Sequence, residues 1–298
     1  MRNSKAPAHN IAFSPPLKKL ALALVILVLG LCLIPVVTFF VIPAQLVETW
    51  IIEGVRKKSG ITLVNGGFQR LFPFGVAFSN VTLHRSKGDA PLFTFDTFEG
   101  HLHPLNLFAG QVKITVGGNA GAGSVTGEAH ITRKGMVAHL SGNRVEVHAP
   151  STQIVRGHAT LASFVADTTL IFGKKEKCPT GSLSARVDEI TTRDFTIMGF
   201  PPPLNSVTEV VLNGTVTDCH VMIDNTWLES RLLSARLKGR ITLQAPLMKS
   251  RIDATLDLTP REELLQDKFL SALLGRYRKS ANFYSLPVGG TLGAPLIL

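Results

Sequence analysis

Charge is scarce in this sequence, at 17% of 298 residues, and cysteine scarcer still, at three. No arginine-rich run with interleaved aromatics occurs, so the usual footprint of a nucleic-acid-binding protein is missing and no nucleic-acid partner is expected. No GxSxG elbow, HExxH helix, Walker loop or strand-borne GxGxxG is present either. Those absences remove the common signatures of nucleophilic, zinc-dependent and nucleotide-dependent chemistry. The glycine-rich stretch Gly117–Gly123 has no Lys-Ser/Thr to meet a phosphate and reads as a flexible hairpin connection. The isolated acids Asp188, Glu189 and Asp194 show no pairing. Neither an enzyme nor a cofactor is expected.

Nine histidines remain to be placed. His101 and His103 fall on one face of a strand, but Pro104 follows and no Cys or carboxylate cluster completes a metal site. His130, His139, His148 and His158 recur at intervals of nine or ten residues and read as solvated positions on neighbouring strands.

What is present begins with a long apolar run. From Leu20 to Ile42 no side chain is charged, and 23 residues at about 1.5 Å each cross the roughly 30 Å hydrocarbon layer of a membrane. A cleaved signal peptide is the competing reading, but the run exceeds the usual 7–15-residue apolar core and no A-x-A site follows it. Arg2, Lys5, Lys18 and Lys19 precede the run without any acid, so residues 1–19 are expected to stay in the cytoplasm. Pro35 is expected to kink the span and Pro43 to mark its exit. Residues 43–59 read as a short juxtamembrane helix with Trp50 at headgroup level. With the four cations of the tail set aside, the remainder is mildly basic, which suits attraction to an anionic membrane surface.

From Gly60 onward the pattern is that of an all-β domain: short runs of Val, Ile, Thr and Phe alternate with polar residues and are punctuated by Gly, Asn, Asp or Pro. Strands are expected at 76–84, 111–116, 124–132, 144–148, 183–187, 208–217, 236–243 and 251–258. In the last of these Ile252, Ala254, Leu256 and Leu258 share one face, and Arg251, Asp253, Thr255 and Asp257 the other. Gly127, Gly214, Gly239 and Gly290 sit beside such alternations and point to bulges, curvature or close backbone approach. Pro201-Pro202-Pro203 reads as a stiff spacer between two halves of the sheet.

A late amphipathic helix is expected from Pro260 to Tyr277, with Thr259 as N-cap, Glu262 and Glu263 in its first turn, and Leu265, Phe269, Leu273 and Tyr277 as its stripe. Cys178 and Cys219 either pair, closing a loop of about 40 residues, or stay separate as buried thiols.

Three stretches carry a resemblance. The span is followed by Gly60-Ile61-Thr62-Leu63 and by Phe72-Pro73-Phe74-Gly75-Val76-Ala77-Phe78-Ser79-Asn80-Val81-Thr82-Leu83, and the chain closes with Gly289-Gly290-Thr291-Leu292-Gly293-Ala294-Pro295. This layout resembles the protein N family of type II secretion systems (GspN) and the broader AsmA-like proteins. The resemblance implies an inner-membrane protein with a periplasmic domain built as a curved antiparallel sheet, groove- or half-barrel-like, and no catalytic residues. Two functions follow as expectations. One is a non-catalytic accessory or assembly component of type II secretion, whose partners are the lipid bilayer and other secretion-system subunits. The other is a lipid-binding or lipid-transfer module whose apolar groove, with Ile252, Ala254, Leu256 and Leu258 among its lining, takes phospholipid or lipopolysaccharide acyl chains.

Overall fold

The structure is a computed structural model that describes residue 30 and residues 37–85, 91–149, 155–173, 178–197, 206–265 and 274–298. The chain divides into two units, Met1–Pro43 and Ala44–Leu298. Within the first, residue 30 and residues 37–41 are helical, while most of the apolar run 20–42, Pro35 included, lies outside the described residues. Among the described residues no helix is long and apolar enough to cross a membrane.

The second unit opens with helix α1 (Ala44–Ser59), which closes on Arg56, Lys57 and Lys58 at its negative dipole end. Its Val47 is buried, and Ile51 and Ile52 pack against the first strands. The described strands that follow form one antiparallel sheet of 16. In chain order these are β1 (Thr62–Val64), β2 (Gly67–Leu71), β3 (Gly75–His84), β4 (Pro91–His103), β5 (Val112–Ala120), β6 (Gly123–Ile131), β7 (Gly135–Ala149) and β8 (Val155–Ile171). They continue as β9 (Thr180–Ile197), β10 (Ser206–Thr217), β11 (His220–Ser230), β12 (Leu233–Thr242), β13 (Arg251–Pro260), β14 (Arg278–Ser280), β15 (Phe283–Thr291) and β16 (Ala294–Ile297). From β3 to β13 each strand pairs with the next, an up-and-down meander whose short connections keep sequence neighbours adjacent in space.

Both edges of the sheet are split. β1 and β2 lie end to end along β3, interrupted at Asn65 and Gly66. β14 and β16 share the outer side of β15 in the same way. Short, broken edges offer little continuous backbone for another chain to pair with. The sheet also rolls upon itself. Arg85, just past β3, donates to the carbonyl of Gly293 in the β15–β16 turn, and Gly60 lies against Met248 and Pro246 beside β13.

Several expectations need correction. β9 runs over 18 residues rather than the five of 183–187. Gly117 and Gly118 are interior to β5, so the connection shrinks to the turn Gly121–Ala122; cross-strand pairing on both sides of β5 overrides the glycines' weak strand preference. Pro260 does not open a helix: it ends β13 opposite Leu233, and helix α3 is described over Glu262–Leu265. Residues 266–273, Phe269 and Leu273 among them, lie outside the described residues, and Gly275–Tyr277 form one 3-10 turn before β14. Within α3, Leu264 is buried. The C-terminal stretch forms β15 and β16, joined at Leu292–Gly293, with Gly290 held at φ 87° opposite Pro295. The triple proline 201–203 lies outside the described residues.

Candidate functional site: the apolar inner face

Register decides what the two faces of this sheet can do. The residue opposite Phe78 on β4 is Phe98, and following cross-strand partners onward gives Gly118, Val125, Gly142, Phe164, Val187, Val210, Leu228, Ala235, Leu258 and Tyr284. Every member of this rib is apolar or glycine. One residue along, the rib of the other face reads Ser79, Thr97, Asn119, Ser124, Asn143, Ser163, Asp188, Glu209, Glu229, Ser234 and Thr259. Every member of that one is polar. A strand turns alternate side chains to opposite faces, so each strand's alternation survives as a transverse stripe only if all the strands are in step. They are in step across the sheet.

A second apolar rib runs from Leu102 through Ile114, Ala129 and Ala138 to Thr168, Leu183, Gly214, Ile223, Gly239, Ala254 and Val288, broken only by the threonine. The four residues expected to line a groove fall on this inner face: Ala254 and Leu258 are buried, Ile252 and Leu256 half-buried. Sequence reasoning reached these four through alternation within one strand. Phe98, Phe164, Val187, Val210 and Leu228 went unnoticed because their alignment is a property of register, which one strand's alternation does not carry.

Glycines thin this face where large side chains lean over it. A Cβ on Gly118 would meet Phe98 and Phe95 at 3.1 and 3.2 Å, and one on Gly142 would meet Phe164 at 2.4 Å. A ring laid over a neighbouring glycine covers backbone that would otherwise be bare, and leaves the face free of the crowding that inward curvature brings. Gly127, under Leu140, and Gly214, beside Leu183, repeat the arrangement.

The inner face stays apolar along the strands because of a crease. Asn80, Arg144 and Glu189 have φ of 49–51°. In each case the residue two before and the residue one after are apolar or glycine: Phe78 and Val81, Gly142 and Val145, Val187 and Ile190. Regular pleating would put such residues, three apart, on opposite faces; the left-handed residue between them re-aims the chain, and Phe78, Val81 and Val145 join one cluster. Beyond the crease Val145, Leu161, Ile190 and Val207 pair in a further apolar row.

The two ends of the inner face are filled. At the first, Leu63, Phe78, Val81, Phe95, Ala120, Val125 and Val145 form a buried cluster capped by Ile51 and Ile52 of α1. At the other, Leu258, Tyr284 and Leu286 are buried with Leu265, Leu274 and Tyr277 against them. Between the clusters Val187, Val210 and Leu228 are half-buried. Full burial of a Val, Leu or Phe contributes about 1.5–3 kcal/mol, and between the two clusters Val207, Val216, Val221 and Ile223 of β10 and β11 are buried as well.

The outer face carries dispersed pairs. Lys113 lies 3.1 Å from Glu128 and holds its carboxyl below the usual range, and Arg186 joins Asp188 at 3.0 Å and Glu209 at 2.8 Å, lowering Asp188 likewise. His139 meets Asp167 at 2.7 Å, His130 lies 3.8 Å from Glu128, and His103 bonds Thr115. His101 and His103 do not converge on a common ligand site: His101 turns toward Glu99 at 3.7 Å. Among the described residues no three His, Cys, Asp or Glu are grouped to hold a metal. His148 and His158 face each other across β7 and β8 with ring centroids 4.4 Å apart, and burial, then the charge of His158, pushes the His148 imidazole below its ordinary value. Its Nδ1 is buried without a hydrogen-bond partner.

The structure joins Cys178 to Cys219, with Cα atoms 5.1 Å apart. Cys219 and Asp218 both have positive φ in the two-residue turn between β10 and β11, so the bond ties a tight hairpin tip to the lead-in of β9. It closes a separation of 41 residues.

No protein-family model, curated protein or solved structure matches the chain.

Proposed function

We propose that the chain is a membrane-anchored module that shelters the acyl chains of a phospholipid or lipopolysaccharide on the inner face of its sheet, without catalysing a reaction. In this reading the apolar run 20–42 is the anchor, set in the inner membrane, and residues 44–298 work on its periplasmic side. The observation that carries it is the unbroken apolar rib from Phe78 to Tyr284, filled at both ends and half-buried between them. Water against a long apolar strip is costly at roughly 25 cal/mol per Å², and an acyl chain relieves that cost without asking for any hydrogen bond. The glycines under Phe98 and Phe164 widen the strip rather than closing it.

The accessory-subunit reading, in which type II secretion components bind through sheet edges, draws less support from this molecule. β-Augmentation needs a continuous free edge, and both edges here are split into strands of three to five residues.

Native mass spectrometry of the full chain in mild detergent tests the proposal. A retained phospholipid-sized adduct is expected, lost in the Val210→Glu variant, which puts a charge at the middle of the rib. A clean apo mass for the wild-type chain, or an adduct indifferent to Val210→Glu, would overturn the proposal.

A further inference from the structure

The two long margins of the rolled sheet differ in chemistry. Along one of them run the connections after β2, β4, β6 and β8, and they are contiguous: the Leu102 amide donates to the Phe74 carbonyl, and the Phe172 amide donates to that of Lys134. This margin carries Phe72, Leu105, Leu107, Ile171 and Phe172, all exposed, Leu105 by 78% and Ile171 by 57%. Leu105 and Leu107 are held out by helix α2 (Leu105–Phe108), a single turn between β4 and β5. Arg133 and Lys134 stand exposed in the β6–β7 turn between them and Phe172. No Asp or Glu occurs in residues 72–74, 104–111, 132–134 or 172–173. Along the opposite margin, the described connections at Arg85, Gly121–Ala122, Arg231–Leu232 and Ala281–Asn282 place no large exposed apolar side chain.

Large apolar side chains held out in water are costly, and five on one margin need an occupant. Basic residues dominate these connections, where the sequence has Arg133, Lys134, Lys174, Lys175 and Lys177 against the single acid Glu176; that balance selects an anionic occupant, and the pairing of Phe and Leu tips with Lys and Arg is the composition of surfaces that enter the headgroup layer of an anionic bilayer. The entering chain agrees. Helix α1 runs back along β1 and β2, since its Ser59 leads into Thr62 while its Glu48 accepts from Asn65 at the β1–β2 junction, 2.9 Å away. Its first residue, Ala44, is therefore directed toward the β2–β3 turn, where this margin begins, and its Leu46 and Trp50 are exposed.

We infer that this margin, from Phe72 to Phe172, docks on the surface of an anionic bilayer, so that the sheet lies along the membrane on one lip instead of standing clear of it. Phe72, Leu105 and Phe172 enter the headgroup layer, and Arg133 and Lys134 meet lipid phosphates. The inference concerns the lip alone and stands whether or not the inner face holds lipid.

The test uses the full chain, with Trp50→Phe and Trp227→Phe to clear the native tryptophans, reconstituted in vesicles of phosphatidylcholine with or without 30% phosphatidylglycerol and with brominated acyl chains. Leu105→Trp and Phe172→Trp, made singly, are expected to lose at least half of their emission to bromine in the anionic vesicles, and less when Arg133→Glu and Lys134→Glu are added. Asn282→Trp, on the opposite margin, is expected to keep its emission. Absence of quenching at both Leu105→Trp and Phe172→Trp, with unchanged circular dichroism, would overturn the inference. So would shielding of both from aqueous acrylamide that grows with protein concentration and owes nothing to bromine, because a second copy of the chain would then be the occupant. Equal quenching on both margins would overturn it as well.

Discussion

The inner and outer faces of the sheet are made of the same strands and obey opposite rules. On the inner face a side chain is judged against its partners on neighbouring strands, because the rib is continuous and a single polar residue would sit among apolar ones. On the outer face each residue answers mainly to water, so Val165 and Arg186 are tolerated as direct partners. The difference teaches that the register of the whole sheet, not the composition of any strand, is the feature that the sequence maintains. Positions that look alike in a strand-by-strand reading therefore have unequal consequences.

Three substitutions probe that inequality. Phe78→Ala removes a ring that is 3% exposed and tilted against Phe68 with centroids 5.1 Å apart, so it is expected to cost about 3–5 kcal/mol in chemical denaturation. A loss below 1 kcal/mol would show that the first cluster does not hold the sheet. His148→Phe is expected to act through pH. The folded chain resists protonating His148, whereas the unfolded chain takes the proton near the ordinary value of 6.5, so wild-type stability is complete above that value and falls as pH drops through it. The variant's melting temperature should fall less than the wild type's between pH 7.5 and pH 5, and parallel curves would contradict the role given to His148. Smallest of all, Val165→Lys on the outer face, where the valine is 41% exposed, is expected to move stability by no more than about 0.5 kcal/mol. A large loss there in the same denaturation series would erase the distinction between the faces.

Much of this architecture was legible from the residues. Alternation in 251–258 placed Ile252, Ala254, Leu256 and Leu258 on one face, and recurrent glycines beside strands pointed to curvature; Gly127, Gly214 and Gly239 indeed sit along the inner face. Helix α1 was legible from Leu46, Trp50 and Ile51, which recur near one side of 45–59. What escaped was whatever depends on a nonlocal choice. Asn80, Arg144 and Glu189 adopt a conformation that glycine is normally used for; Asn80 is of a type that tolerates it, but nothing about Arg144 or Glu189 announces it. Pro260 looked like a helix start by every local rule, yet pairing with Leu233 keeps it in a strand. The exposed residues of the β4–β5 and β8–β9 connections drew no notice because a single Leu or Phe in a loop is ordinary; only topology collects them along one margin.

The split edges carry one more consequence. A strip crossing twelve strands at a spacing of roughly 4.8 Å has a contour of about 50 Å, and it can grow only if another strand joins an end. Neither β1 with β2 nor β14 with β16 offers an unbroken partner for one. On the proposed lipid-sheltering reading the strip is thus a vessel of fixed capacity rather than a segment of a conduit: neither edge offers another copy an unbroken strand to extend it, and cargo enters and leaves across its lips.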